Sequence, residues 1–159
     1  MEQKPDGIGL RPGDALVIVD VQNDFLPDGA LGVPGGDEVV PIINEYLRRF
    51  SRQGLPVYVT RDWHPAGHCS FRSEGGPWPT HCIADTPGAA FAHDLVLPAG
   101  ATVISKATEA TREAYSAFAG TDLDERLRRA AASSCAVRFR SNLSGANPGA
   151  TRTASCVRS

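Results

Sequence analysis

Ala15-Leu16-Val17-Ile18-Val19 is a continuous apolar run rich in β-branched residues, and it stops directly before Asp20. A run of this kind is typical of a strand that is buried on both faces, as in the centre of a parallel sheet. Residues 56–60 and 101–105 repeat the pattern, and apolar residues at helical spacing predict a helix over 37–50. The alternation of strands and helices predicts an α/β fold with a parallel sheet.

A second helix is predicted after residue 120, and little regular pattern follows it. Thr121 and Asp124 have the spacing of a helix-capping pair, and leucines behind them form an apolar stripe. This interpretation places Cys135 at the end of the second helix. Beyond it, the alternation of apolar residues and arginines around 137–139 indicates at most a weak strand.

Charge is distributed unevenly along the chain. Residues 1–125 hold nine basic and all eighteen acidic residues, a net charge of −9, whereas residues 126–159 hold seven arginines and no acid. Such a break indicates a basic tail or an abnormal chain end. We therefore predict an N-terminal extension at 1–13, an incomplete domain at 14–132 and an atypical basic tail at 133–159.

The composition limits the class of protein. The 159 residues suffice for one ordinary domain, and the formal net charge is −2. Nucleic-acid binders and membrane-surface proteins normally carry a basic excess, so both classes are disfavoured. The first residues lack the apolar segment of a secretory signal, and no apolar run is long enough to span a bilayer. We therefore expect a cytoplasmic protein whose four cysteines are thiols or ligands rather than disulfides.

Polar, chemically active side chains follow each predicted strand. Asp20 follows the first strand, Asp62 and His64 follow the second, and Lys106 follows the third. Ligands bind beyond the carboxyl ends of parallel strands, so we expect these side chains to share one crevice. Each alone would be an ordinary cap, turn residue or solvated lysine. Their coincidence at three strand ends favours a functional site.

Asp62, His64 and His81 are the candidate metal ligands, with His68 as a candidate fourth. Residues two apart in an extended segment point to the same side, so the carboxylate of Asp62 and the imidazole of His64 can reach one ion. A carboxylate with two imidazoles and open positions suits Zn²⁺, with Fe²⁺ or Mn²⁺ as alternatives.

Two other interpretations of these histidines stay open. They could be ordinary surface residues, or His68-Cys69 and His81-Cys82 could form a structural zinc site. The zinc site is less favoured because adjacent residues in an extended chain face opposite ways. Closed zinc sites also usually space their cysteines more widely.

Three aromatic residues near these motifs could supply flat apolar walls for an aromatic ligand. They are Phe25, Trp63 and Trp78. Phe25 and Trp63 could equally be core residues. Trp78 lies between two prolines in a loop, which favours a binding role.

Taken together, these motifs resemble the nicotinamidase branch of the isochorismatase-like cysteine hydrolases over about residues 14–120. The metal motif discriminates best, because related hydrolases of this fold generally lack it. The similar segments are Val19-Asp20-Val21-Gln22-Asn23-Asp24-Phe25, Thr60-Arg61-Asp62-Trp63-His64-Pro65, Trp78-Pro79-Thr80-His81-Cys82 and Ala114-Tyr115-Ser116-Ala117-Phe118.

The resemblance implies a three-layer parallel sheet flanked by helices and the hydrolysis of nicotinamide to nicotinate and ammonia, in NAD salvage. It implies that Asp20 is the general base and Lys106 its charge partner, next to a cysteine nucleophile. It also implies that the metal holds the pyridine nitrogen of this small-molecule substrate. Phe25 and Trp78 would pack against the ring.

The nucleophile is the feature in which this chain departs from the family pattern. The family's cysteine follows a fourth strand, in a Gly-containing segment ending in a sequence such as Thr-Asp-Tyr-Cys, which is absent here. Cys156 is the remaining candidate, and no apolar strand precedes it. We therefore expect a reading-frame shift near codon 130 and impaired amidase activity. An incomplete sheet would also expose apolar surface, which favours homo-oligomers.

Two alternative functions stay open at this point. One is a catalytically silent protein that binds a metal or nicotinamide. The other is a different small-amide hydrolase of the same superfamily. Release of ammonia from nicotinamide separates the nicotinamidase from both.

Overall fold

Four parallel strands form one sheet in the computed structural model, which describes residues 9–130 and the backbone of residues 135–137. Their spatial order is β3-β2-β1-β4, so β1 lies inside the sheet as its apolar sequence predicts. The strands are β1 (Leu16–Val19), β2 (Val57–Asp62), β3 (Thr102–Lys106) and β4 (Cys135–Val137).

The register of the sheet brings the predicted site residues to one edge. Leu16 pairs with Val57 across β1 and β2, and Asp62 pairs with Lys106 across β2 and β3. The backbone N–H of Asp20 donates to the carbonyl of Thr60 at 3.1 Å, which continues the pairing past the end of β1. The carboxyl ends of these three strands therefore meet, as predicted.

Two helices cover opposite faces of the sheet. Helix α1 (Val39–Arg52) packs against the face that carries Leu16 and Ile18, and helix α2 (Leu123–Arg129) packs against the face of Val17. Alternate residues of β1 thus enter two separate cores, because successive side chains in a strand point to opposite faces. The predicted three-layer arrangement is confirmed.

Helix α1 agrees with its predicted position. A 3₁₀ turn at Gly36–Glu38 leads into the helix, which runs two residues further than the pattern at 37–50 indicated. Pro41 lies in the first turn, where its missing N–H costs no intrahelical hydrogen bond. Gly54 follows with a φ of +65°, the left-handed conformation that commonly ends a helix.

The region around helix α2 requires two corrections. The hydroxyl of Thr121 accepts the backbone N–H of Leu123 at 3.2 Å, but the N-cap position is Asp122 and no side chain caps the helix there. Asp124 pairs with Arg128 instead of completing a capping box. The helix ends at Arg129, so the prediction that Cys135 lies at its end is wrong.

Cys135 is the first residue of β4. The sequence pattern indicated a weak strand slightly later, around 137–139. A three-residue strand is too short for a clear pattern, and its pairing with β1 defines it. β4 lies within residues 133–159, so the boundary between domain and tail stays a prediction. Residues 1–8, 131–134 and 138–159, including Cys156, lie outside the described part of the chain.

The long connection between β2 and β3 is held by specific hydrogen bonds rather than by regular secondary structure. Isolated parallel bridges join His64 to Ile83 and Phe71 to Trp78. A single 3₁₀ turn, Arg72–Glu74, lies between them. This connection carries His64 and His81, two of the three candidate metal ligands.

The helices of the described residues are short. The longer of α1 and α2 has 14 residues. None of the helices within 9–130 has the length and apolar character needed to cross a bilayer.

Candidate metal centre and carboxylate–lysine site

Asp62, His64 and His81 form a compact group of metal-ligating side chains. One ligand atom from each lies within 4.8 Å of the others. All three residues are buried, with exposed fractions of 8%, 2% and 5%. Buried carboxylate and imidazole groups at these separations are well suited to share one divalent cation.

The backbone explains why these three side chains converge. Asp62 ends β2 and His64 follows two residues later, so both side chains point to the same side. The N–H of His64 donates to the carbonyl of Cys82 at 3.0 Å, which brings the loop of His81 alongside. The predicted grouping of the three residues is thus present in the structure.

Hydrogen bonds orient both histidine rings toward a common point. Nδ1 of His64 lies 3.3 Å from the carbonyl oxygen of Ala107, and Nδ1 of His81 lies 2.7 Å from that of Pro79. A carbonyl only accepts, so each Nδ1 carries the proton and each Nε2 keeps a free lone pair. This is the arrangement that a metal-binding histidine requires.

The Nε2 atom of His64 is buried and has no hydrogen-bond partner among the described residues. An unpaired buried nitrogen is costly, and a bound cation would satisfy it. Burial, together with His68 and His81, lowers the pKa of His64 to about 4, so the neutral, metal-binding form predominates near neutral pH. The residues present therefore fit a divalent metal.

His68 lies next to this group but does not join it. Its ring centroid is 4.2 Å from that of His64. Nδ1 of His68 accepts the backbone N–H of Ser70 at 3.2 Å, and Nε2 lies 3.1 Å from the carbonyl oxygen of Arg112. Both nitrogens of His68 are engaged by the protein, and its role as a fourth ligand stays a prediction.

The alternative zinc site with cysteine ligands is not formed by the described residues. The cluster that brings three ligand atoms together there includes no cysteine. Cys82 is fully buried against Phe25 and Ala89, and burial raises the pKa of its thiol. A raised pKa disfavours the thiolate that zinc would bind.

Asp20 and Lys106 lie immediately beside the metal-ligand group. Nζ of Lys106 is 3.0 Å from Oδ2 of Asp20 and also contacts Oδ1 of Asp62. Lys106 is only 4% exposed. The Lys106 ammonium therefore joins the predicted catalytic pair to the predicted metal ligand.

The conformation and ionisation of Asp20 are unusual. Its φ is +54°, a left-handed conformation that non-glycine residues rarely adopt, and the hydroxyl of Thr60 donates to Oδ1 at 2.7 Å. Burial raises the pKa of Asp20 above its ordinary value. Burial alone would lower the pKa of Lys106, but Asp20 and Asp62 together raise it, so the lysine stays charged.

The predicted aromatic walls differ in their surroundings. The Phe25 ring is 5.7 Å from the His81 ring, which places it at the metal group. Trp78 is half-buried, and its Nε1 donates to the hydroxyl of Tyr115 at 3.3 Å. Trp63 is instead stacked under the guanidinium of Arg61, 3.5 Å from the ring centroid. Trp63 therefore has a structural partner that the sequence did not indicate.

The sequence analysis assigned no role to Phe71, whose ring packs against the three histidines. Its buried ring contacts those of His64, His68 and His81 at centroid distances of 5.3, 5.8 and 5.5 Å. Phe71 lies in a segment without periodicity, so no local pattern identifies this role.

No thiol of the described side chains is paired with Asp20 or Lys106. Cys82 is buried and Cys69 is half-buried, and neither thiol has a hydrogen bond to Asp20 or Lys106. The backbone of Cys135 pairs with Leu16, four residues before Asp20, which at 3.3 Å per residue is about 13 Å away along the strand. The nucleophile therefore stays unassigned, and Cys156 stays a prediction.

Comparison with known proteins agrees with this fold. Residues 14–137 match the isochorismatase domain, and the chain belongs to the isochorismatase family. It is 36% identical to the nicotinamidase of Escherichia coli (strain K12), over 74% of this chain and 65% of that relative.

Solved structures show the same similarity. The pyrazinamidase of Pyrococcus horikoshii in complex with zinc is 52% identical, with a TM-score of 0.75 over 80% of this chain and 72% of that one. PnC1 from L. infantum in complex with nicotinate is 34% identical, with a TM-score of 0.68 over 80% of this chain and 68% of that one.

The chain is shorter than the curated relatives that it matches. The matched region covers between 56% and 65% of their length. Their overall activity, substrates and partners are therefore considered for this chain only as proposals.

Proposed function

We propose that this chain has a metal-dependent amidase site for nicotinamide, which the reaction would convert to nicotinate and ammonia. The observation that carries the proposal is the contact between two groups: the buried metal-ligand cluster of Asp62, His64 and His81, and the Asp20–Lys106 ion pair beside it. Similarity to nicotinamidases and to a zinc-bound pyrazinamidase supports it. In this proposal the reaction serves NAD salvage in the cytoplasm.

The three ligand residues would hold one divalent metal, with Zn²⁺ preferred to Fe²⁺ or Mn²⁺. The metal would supply an open coordination position for the ring nitrogen of the substrate. In this proposal, Phe25, whose ring lies 5.7 Å from that of His81, and Trp78 would pack against the flat ring of the substrate.

Asp20 and Lys106 would supply the acid–base chemistry. Burial raises the pKa of Asp20, which brings its carboxylate closer to the range where a general base works best near neutral pH. Asp20 would take the proton of a cysteine thiol, and Lys106 would balance the negative charge. The thiolate would attack the amide carbon, and Asp20 would return the proton to the departing nitrogen, which leaves as ammonia. Water would then hydrolyse the thioester and release nicotinate and the free thiol.

We also propose that turnover by this chain is low. Neither Cys69 nor Cys82 is paired with Asp20, and the backbone of Cys135 lies at the opposite end of its strand from the site. Loss of a nucleophile normally costs several orders of magnitude in rate. The test is ammonia release from nicotinamide by the zinc-loaded chain beside a Cys156→Ser variant. Robust turnover that Cys156→Ser abolishes would overturn the proposed impairment and make Cys156 the nucleophile.

The lack of a paired thiol among the described side chains favours a second candidate, a metal-dependent nicotinamide-binding protein without turnover. Calorimetric titration of the zinc-loaded chain with nicotinamide separates the two. Saturable binding without ammonia release supports the silent binder. Ammonia release from other small amides, but not from nicotinamide, would support a different amide hydrolase.

A further inference from the structure

Gln22 holds the backbone of one predicted metal ligand from across the sheet. Its side chain is fully buried. Oε1 of Gln22 accepts the N–H of Asp62 at 2.8 Å, and Nε2 donates to the carbonyls of Asp62 and Ala89, each at 2.8 Å. Asp62 is thus fixed through both of its backbone polar groups, which sets the direction of its carboxylate.

Asp24 performs the corresponding task for the loop of His81. Its Oδ2 accepts the N–H of Cys82, the next residue, at 2.7 Å. Cys82 has a φ of +46°, a conformation that non-glycine residues rarely adopt without support from their surroundings. A charge-assisted hydrogen bond to this strained residue supplies such support. The Asp24 carboxylate thus contacts the backbone directly after His81.

The loop that packs over Asp24 is shaped to admit this contact. The N–H of Asp24 donates to the carbonyl of Gly88 at 3.0 Å. A Cβ added at Gly88 would collide with the Asp24 carboxylate. A glycine at this position allows the close approach that leaves the carboxylate pointing at Cys82.

We propose that Gln22 and Asp24 are positioning residues of the metal site, Gln22 for Asp62 and Asp24 for His81. This inference rests on the proposed function, because it presumes a metal at Asp62, His64 and His81. Groups outside the ligand shell orient the ligands, and their loss typically lowers metal affinity about 10- to 100-fold.

Asn23 provides a matched control between the two positioning residues. Its Nδ2 donates to the carbonyl of Pro87 at 2.8 Å, a side-chain-to-backbone hydrogen bond to the same loop. Pro87 is neither a predicted ligand nor adjacent to one. Removal of the Asn23 side chain therefore takes away a comparable hydrogen bond without freeing a ligand.

The test measures the zinc affinity of the full chain by competition with a chromophoric chelator. The variants are Gln22→Met, Asp24→Ala and the conservative Asp24→Asn, which keeps an acceptor oxygen, with Asn23→Ala as the control. The visible spectrum of the Co²⁺-loaded protein reports the ligand geometry. Thermal unfolding of the metal-free proteins reports general stability.

We expect Asp24→Ala and Gln22→Met to bind zinc at least about tenfold more weakly and to alter the Co²⁺ spectrum. Asp24→Asn should recover most of the affinity, and Asn23→Ala should match the unchanged chain. If Gln22→Met fails to fold, the zinc affinities of the two Asp24 variants decide whether the inference holds. Unchanged affinity and spectrum in Asp24→Ala, or an equal loss in Asn23→Ala, would overturn the inference while leaving the metal site in place. If the unchanged chain binds no zinc, both this inference and the proposed metal site fail.

Discussion

Replacement of Lys106 by methionine should destabilise the metal-free chain strongly, and by an amount that depends on pH. The Lys106 ammonium contacts both Asp20 and Asp62 and is almost fully buried. Its loss leaves two neighbouring carboxylates without their cation, and breaking a buried ion pair in this way costs about 3–5 kcal/mol.

Proton uptake sets an upper limit to this cost. One carboxylate can be neutralised, and for an ordinary carboxyl pKa of about 3.9 this costs about 4 kcal/mol at pH 7 and about 1.5 kcal/mol at pH 5. The folded Lys106→Met variant then binds one more proton than its unfolded state, so its deficit in stability shrinks as the pH falls. We therefore expect a loss of about 3–4 kcal/mol at pH 7 and less than half of that at pH 5.

Urea unfolding of the metal-free proteins at both pH values measures this effect. Arg128→Met is the control, because the ion pair of Arg128 with Asp124 is exposed and should contribute less than about 1 kcal/mol. A Lys106→Met loss no larger than that of the control, or one that does not change between pH 7 and pH 5, would refute the role assigned to the buried lysine.

Two further predictions concern the groups around the site. Since the pKa of His64 is about 4 in the folded chain and about 6.5 when unfolded, the unfolded chain binds more protons between these values. The free energy of unfolding of the metal-free chain should therefore fall by up to about 1.4 kcal/mol per pH unit as the pH drops from 6.5 to 4. His64→Gln should flatten this pH dependence. His93→Gln, at an exposed histidine, should leave it unchanged. Gly88→Ala should lower the free energy of unfolding in urea by about 1–3 kcal/mol, because the added Cβ meets the Asp24 carboxylate. Gly100→Ala is the control: its Cβ meets nothing within 4 Å, and it should change this free energy by less than about 0.5 kcal/mol. Equal effects of the two glycine substitutions would contradict the close approach at Gly88.

Local sequence patterns predicted the elements that decide the fold. The apolar runs that became β1, β2 and β3 are continuous because both faces of the sheet are covered, and this burial is visible in the sequence. Strand alternation also predicted that Asp62 and His64 share one side. These relations depend on neighbours in the chain, which is why the sequence reveals them.

Contacts between distant segments could not be predicted in the same way. The side chain of Gln22 meets Asp62 forty residues away, and Lys106 bridges two carboxylates from different strands. β4 is defined by pairing with β1 rather than by its own three residues. Such contacts follow from the packed arrangement of strands and loops, and periodicity carries no information about them.

The metal content of the purified chain tests the central claim most directly. We expect about one zinc ion per chain after loading and removal of excess metal, with sharply reduced zinc in His64→Ala and in His81→Ala. His93→Ala, at an exposed histidine, should retain the full amount. Undiminished zinc in both ligand variants would show that the buried cluster of Asp62, His64 and His81 is not the metal site.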